Sequence, residues 1–64
     1  MKTINTIKIG NYELRVIDFS KEHIFKTQIL QENNVLNTAS HKSKEEALNH
    51  HKTLVNQYSR IDEL

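Results

Sequence analysis

Residues 4–19 read INTIKI-GN-YELRVIDF, and this stretch decides the fold. Two runs rich in β-branched and aromatic residues flank the pair Gly10-Asn11, a pattern typical of a β-hairpin closed by a tight primed turn. A two-residue loop sets the register and separates an apolar face from a polar face. The predicted cross-strand pairs are Ile9–Tyr12, Lys8–Glu13, Ile7–Leu14 and Thr6–Arg15.

The apolar alternation breaks at Val16-Ile17, because Ile17 and Phe19 have the opposite parity to Val16. A β-bulge in this strand would return Ile17 and Phe19 to the core face. The alternative is that both faces of the strand are covered near its end. We favour the bulge, and we expect the aromatic rings to be core anchors. These core anchors are Phe19, Phe25 and Tyr58.

The remainder of the sheet follows from two more turns. Residues 20–23 form a polar turn, and residues 24–31 form a third β-rich run. Glu32-Asn33-Asn34 is typical of a second tight turn because asparagine tolerates a positive φ. Residues 35–40 have a weak apolar pattern, which leaves two alternatives, an edge strand or an ordered loop. The sheet therefore has three or four strands.

A capping box marks the start of a C-terminal helix. Ser43 is the predicted N-cap, and Glu46 follows three residues later with Glu45 beside it in the first turn. Apolar residues then recur at three- and four-residue steps, which is the pattern of an amphipathic helix. The predicted stripe consists of Ala47, Leu48, His51, Leu54, Val55, Tyr58 and Ile61. The predicted polar side consists of Asn49, Lys52, Thr53, Asn56 and Arg60.

These elements combine into an α+β fold. We predict a three- or four-stranded antiparallel β-meander over about residues 3–40, with one amphipathic helix over about residues 44–60 packed on one face. The 64 residues allow a single small domain near the lower size limit for independent folding. Such a body leaves one sheet face uncovered, and its small core leaves dimerisation open as an alternative.

Composition excludes several classes of protein. The chain has no cysteine, which rules out a disulfide framework, a thiolate zinc site and a cysteine nucleophile. Nine Lys and Arg against eight Asp and Glu give a net charge of +1, a balance that argues against a dedicated polyanion binder. No apolar run is long enough for a membrane span or a signal peptide, so we expect a cytoplasmic protein with no membrane partner.

The four histidines are the main candidates for chemistry. His50 and His51 are about 100° apart on a helix and cannot bind one metal from the same face. We expect a structural role for His51 in the apolar stripe, and an exposed contact between His50 and Glu46. His23 and His41 fall in predicted turns. Neither a catalytic triad nor a Gly-rich phosphate loop can be assembled, so we expect no enzymatic activity, no cofactor and no metal.

The candidate binding surface lies on the uncovered sheet face and consists of Lys8, Glu13, Arg15 and Lys26. The leading hypothesis is a non-enzymatic module that binds another protein through this face, an edge strand or the polar side of the helix. An edge strand could bind a partner by β-augmentation. The alternative is a small nucleic-acid-binding domain that uses the same sheet face, although Glu13 interrupts its positive charge.

The second half of the chain resembles small uncharacterised proteins of phages and prophages of Gram-positive bacteria. Residues 25–30, FKTQIL, and 43–55, SKEEALNHHKTLV, resemble a strand reading aromatic-Glu-Thr-Met-aliphatic-Phe and a helix reading EEAxxGHxxxV. The matching positions are Thr27, Ile29, Glu45, Glu46, Ala47, His51 and Val55, and the departures are Lys26, Gln28, Leu30 and His50. The resemblance implies an accessory protein of a phage or mobile element that binds a host protein, for example as an inhibitor of a defence system.

Overall fold

The structure, a computed structural model, describes the backbone of residues 1–62 and the side chains of residues 1–60. Its elements are β1 (Lys2–Ile9), β2 (Tyr12–Phe19), β3 (Ile24–Gln31), β4 (Asn34–His41) and α1 (Lys44–Asp62). Neighbouring strands pair antiparallel in the order β1-β2-β3-β4, and α1 packs mainly against β2 and β3. The predicted α+β meander is confirmed, and the weakly patterned residues 35–40 belong to a fourth strand.

The β1–β2 hairpin has the predicted register. The pairs Ile9–Tyr12, Lys8–Glu13, Ile7–Leu14 and Thr6–Arg15 are all observed. Gly10 has a φ of 57°, and Asn11 is not among the residues with positive φ. A positive φ at the first central position alone is the pattern of a type II′ turn, one of the primed turns that match the twist of a hairpin. Glycine adopts this conformation without a Cβ clash.

The predicted bulge in β2 is wrong, because the bulge at this level of the sheet lies in β1. Asn5 pairs with Val16 and Thr3 pairs with Ile17, so Ile4 is the extra residue. The pairing of β2 with β3 is uninterrupted. Val16 and Ile17 therefore point to opposite faces, and both are buried, with 0% and 4% exposure. Both faces of β2 are covered near its end, which is the alternative that the sequence left open.

Phe19 lies on the face away from α1, so its predicted place in the core is wrong. The uninterrupted register of β2 puts Phe19 on the same side as Ile17. Lys26 pairs with Ile17 on that side, and its Nζ lies 4.7 Å from the centroid of the Phe19 ring. This is a cation–π contact, and it keeps the charged end of Lys26 above the ring.

The core lies between α1 and the inner face of the two central strands. Leu14, Val16 and Ala47 are fully buried there, and Ile29 is 5% exposed. The predicted anchors Phe25 and Tyr58 are both half-buried on this side. The ring of Tyr58 meets the ring of Tyr12 edge-on, with centroids 4.8 Å apart. This contact joins the start of β2 to the last turns of the helix.

The helix begins at the predicted cap. The backbone N–H of Glu46 donates to Oγ of Ser43 over 3.2 Å, and the N–H of Ala47 donates to the Ser43 carbonyl over 3.2 Å. The predicted polar side is exposed throughout, and the stripe from Ala47 to Tyr58 is buried or half-buried. The Ile61 side chain lies outside the described residues.

Two further turns close the meander. A short 3₁₀ turn at Ser20–Glu22 is followed by His23 with a φ of 54°, so the predicted polar turn is confirmed. Glu32 and Asn33 have φ values of 51° and 69°, which indicates a type I′ turn. Asn34, predicted as part of this turn, is the first residue of β4.

A second bulge lies in β4. Leu30 pairs with Val35 and Ile29 pairs with Asn37, so Leu36 is the extra residue. Each edge strand of the sheet therefore contains one bulge, a device that increases the local twist of a strand.

Candidate functional site

The four residues of the predicted binding surface share the outer face of the sheet, the face away from α1. Lys8 lies opposite Glu13, and Glu13 forms an ion pair with Arg15. Lys26 is held against Phe19. Each cation on this face thus has a carboxylate or a ring beside it, and only Lys8 is exposed. The outer face is a mixed surface with internal contacts, and it is not a positive patch.

The centre of the outer face is already covered. Ile17 and Leu30 are 4% and 6% exposed although no second layer packs on them in the described part of the chain. Arg15 precedes Ile17 by two residues on β2, and Lys26 pairs with Ile17 from β3; both side chains are half-buried, and such side chains cover apolar surface with their methylene groups. Little apolar area is therefore left at the centre of this face for a partner.

The outer edge of β4, unlike the outer sheet face, carries exposed apolar side chains and no charged ones. β4 pairs with β3 on one side and has no strand on the other side within residues 1–62. Its sequence, NVLNTASH, contains no Lys, Arg, Asp or Glu. Val35 and Leu36 are 53% and 52% exposed, and they lie side by side at the N-terminal end of the strand. Past the bulge, residues 37–41 pair regularly with β3, so every second residue presents its backbone groups at the open edge, and the N–H of Thr38 already donates to Oδ1 of Asn37 over 2.9 Å.

The other edge of the sheet is better protected. β1 carries Lys2 and Lys8, and both are exposed. Charged residues, lysine above all, and bulges are the features by which proteins prevent unwanted pairing at an edge strand. β4 has the bulge alone. Of the two edges, β4 is therefore the one that is more open to another strand.

A cluster of polar side chains joins three elements on the inner side of the sheet. Thr27 of β3 is 2% exposed, and its Oγ1 lies 2.7 Å from Nδ1 of His50 on α1. The same Oγ1 lies 3.2 Å from Nε2 of His41, the last residue of β4. The two imidazole centroids are 4.9 Å apart, with the rings tilted by 51°. One hydroxyl thus bridges two histidines, and we call this group the Thr27 bridge.

His51 has the predicted structural role. It is 3% exposed, and its Nε2 lies 3.0 Å from the carbonyl oxygen of Leu14. A carbonyl oxygen can only accept a hydrogen bond, so Nε2 of His51 carries the proton and donates it. This bond fastens the middle of α1 to the backbone of β2.

Two predictions about histidines are wrong. His50 makes no ion pair with Glu46 among the described side chains, and it points to Thr27 instead. His41 is a half-buried strand residue and not a solvated turn residue. The reason is the bulge at Leu36, which shifts the pairing by one residue and places His41 opposite Phe25, on the inner face. His23 is exposed in its turn, as predicted.

The surroundings of His50 alter its titration. Its pKa is lowered from the usual 6.5, first by desolvation and then by the nearby positive charge that His41 and His51 acquire on protonation. The folded environment therefore favours the neutral form of His50.

The chemistry open to these groups is limited. No set of three or more His, Asp or Glu side chains suited to a metal ion occurs within the described residues. The Thr27 hydroxyl is too enclosed to attack a substrate. A hollow of about 210 Å³ lies between the two-residue turns, near Lys8, Glu13 and Glu32, and offers charges of both signs.

No family model, curated protein or solved structure matches the chain. The resemblance of residues 25–30 and 43–55 to phage and prophage proteins stays a prediction. Within the residues described, α1 is not apolar enough to cross a bilayer.

Proposed function

We propose that this protein is a non-enzymatic binding module that takes up an extended segment of another protein along β4. The observation that carries the proposal is the character of this edge: it lacks charged residues, and Val35 and Leu36 are about half exposed there. Scattered apolar side chains on a surface are ordinary, but an adjacent pair on an open strand edge gives a partner strand both backbone and side-chain contacts.

In strand addition, the backbone supplies affinity and the side chains supply selectivity. Main-chain hydrogen bonds to the outward-facing groups of residues 37–41 supply affinity that does not depend on the partner's sequence. Val35 and Leu36 supply the selective contact at one end of the edge. The partner is therefore an extended segment, and one end of it places an apolar side chain against Val35 and Leu36. The remainder of the segment needs no charged residue.

The outer sheet face supports the protein partner over nucleic acid. Binding to a polyanion draws its free energy from cations that replace the counterions of the phosphates. On this face Arg15 is paired with Glu13, and Lys26 is engaged with Phe19. Phosphate groups would have to compete with contacts that the protein already makes, so nucleic-acid binding is the second candidate.

The phage resemblance extends the proposal to the identity of the partner. An accessory protein of a phage or mobile element acts inside a bacterial cell, so its partner would be a host protein, including a component of a defence system. This part of the proposal depends only on residues 25–30 and 43–55.

Capture from a nuclease-treated lysate of a Gram-positive bacterium tests the proposal. We compare the wild type with an edge variant, Val35→Lys with Leu36→Lys, and with a face variant, Arg15→Gln with Lys26→Gln. A partner bound along β4 is retained by the wild type and the face variant. Its recovery by the edge variant falls about tenfold or more, because two anchors of the interface are replaced by charges. Mass spectrometry quantifies the recovered protein.

The variants also define the contrary result. Thermal melts show whether both variants are folded, so that loss of binding is not mistaken for loss of structure. A partner that leaves with the face variant but stays with the edge variant contradicts strand addition at β4. Recovery that depends on omitting the nuclease, and that falls with the face variant, favours the nucleic-acid alternative.

A further inference from the structure

We infer that the Thr27 bridge is a pH-sensitive tie, which fastens the C-terminal end of β4 to α1 while its histidines are neutral and loosens when they take up protons. The inference depends on the geometry of Thr27, His41 and His50 and goes beyond the proposed function. It assigns a role to three polar side chains from three different elements; His41 belongs to the binding edge, but only through its backbone.

The bridge requires one ring nitrogen that carries no proton. A threonine hydroxyl has one proton to donate and can accept from others. With two ring nitrogens on Oγ1, the hydroxyl donates to one nitrogen, which must be bare, and accepts an N–H from the other. Protonating the bare nitrogen turns an acceptor into a donor. The Thr27 proton then loses its acceptor on the histidine, and the direct tie between Thr27 and that ring is broken.

The charges around the bridge do not compensate for protonation. On α1, His51 is the neighbour of His50 in the chain. Glu46 lies one turn earlier on the helix; it is exposed and, within residues 1–60, forms no ion pair with either histidine of the bridge. From β2, Val16 lies opposite Thr27, and Asp18 is two strands away from His41 with Phe25 between them.

The Asp18 carboxylate already accepts a hydrogen bond from the Ser20 hydroxyl over 3.0 Å. Lys42 follows His41 and adds positive charge. Two imidazolium rings 4.9 Å apart would therefore repel each other without a counter-ion.

The titration of His50 agrees with this geometry. Its pKa is lowered by desolvation and by the neighbouring histidines. Below pH 6.5 the unfolded chain therefore binds a proton at this position that the folded chain resists. The contribution of the bridge to stability is complete above pH 6.5 and is lost as the pH falls from there through the lower pKa of the folded state.

Water can reach the bridge. A hollow of about 40 Å³ lies beside Thr27 and His50, between Asn37 and Ala39 of β4 and Leu54 of α1. This volume is sufficient for a water molecule, which allows proton exchange with solvent without unfolding. If β4 is the binding edge, a change in pH would also alter binding; this consequence, unlike the tie itself, rests on the proposed function.

Thermal melts between pH 7.5 and pH 5.5 test the inference, since surface carboxylates stay ionised over this range. We compare the wild type with His50→Gln, which cannot become charged, and with His23→Gln, which removes an exposed histidine outside the bridge. The melting temperature of the wild type is expected to fall over this range. His50→Gln should lose at least half of that fall, and His23→Gln should keep most of it.

A second measurement covers the case in which His50→Gln does not fold. NMR titration of the wild type should show His50 titrating below 6.5, and Thr27→Val should shift that titration. A pH-independent melting temperature, an equal fall in wild type and His50→Gln, or a His50 titration at or above 6.5 would each overturn the inference. None of these results involves a binding partner, so they are distinct from a failure of the proposed function.

Discussion

Gly10 shows how much one residue contributes to the sheet. Its positive φ starts the turn that aligns β1 with β2, and this position of a type II′ turn is dominated by glycine. All the cross-strand pairs of the first hairpin depend on the register that this turn sets.

Replacing Gly10 by valine should therefore destabilise the protein. We expect Gly10→Val to lower the free energy of unfolding by about 1–2 kcal/mol or more, since a β-branched side chain is poorly accommodated at positive φ. Urea denaturation followed by circular dichroism measures the change. Asn11→Ala is the matched control, because Asn11 is exposed in the same turn and does not need a positive φ. Equal stability of Gly10→Val and wild type would contradict the primed turn.

Local chemistry decides the helix, which is why the sequence predicts it well. Ser43 and the apolar stripe act within a few residues of each other, and the observed helix begins at Lys44, as predicted. The hydroxyl of Ser43 accepts a hydrogen bond from one of the backbone N–H groups that have no partner inside the helix.

We expect Ser43→Ala to cost about 1 kcal/mol of stability through loss of this cap. Ser43→Asp should retain most of the stability, since its carboxylate can accept the same hydrogen bond and also complements the helix dipole. Urea titrations of the three proteins measure both effects. If alanine and aspartate variants are equally stable, the cap does not contribute as described.

The bulges are the element-scale features that the sequence could not predict. Without the extra residue Leu36, the turn at Glu32-Asn33 would pair His41 with Ile24 on the outer face; with it, His41 pairs with Phe25 on the inner face. A bulge has no clear local signature in these strands, because its position depends on how the twisted sheet fits the helix. For this reason the sequence does not predict the Thr27 bridge, and its prediction of a bulge in β2 is wrong.

The sequence predicts which sheet face the site residues occupy, but not the contacts that their side chains make. Alternation along the strands predicts that Lys8, Glu13, Arg15 and Lys26 share one face, and they do. Their partners depend on side-chain conformation: Arg15 contacts Glu13 two residues earlier in its own strand, and Lys26 contacts Phe19, which was expected on the other face. Sequence pattern gives the face of a residue, but not the contact that neutralises its charge.

At the scale of the whole molecule, the two central strands are paired on both sides, and the two edge strands differ in how well they resist pairing with another strand. No described side-chain nitrogen or oxygen that is buried lacks a hydrogen-bond partner. A domain of this size has a net stability of only about 3–5 kcal/mol. In the proposed function, the exposed apolar pair Val35 and Leu36 on β4 contacts a partner.

The most direct test of the central claim is amide hydrogen exchange of β4 in the free protein and in the complex with its captured partner. Strand addition predicts that the outward-facing amides of residues 37–41, every second one along the strand, become strongly protected in the complex, while the amides of β1 keep their rates of exchange. Protection confined to β1 or to the helix, with the amides of residues 37–41 unchanged, would contradict binding along the β4 edge.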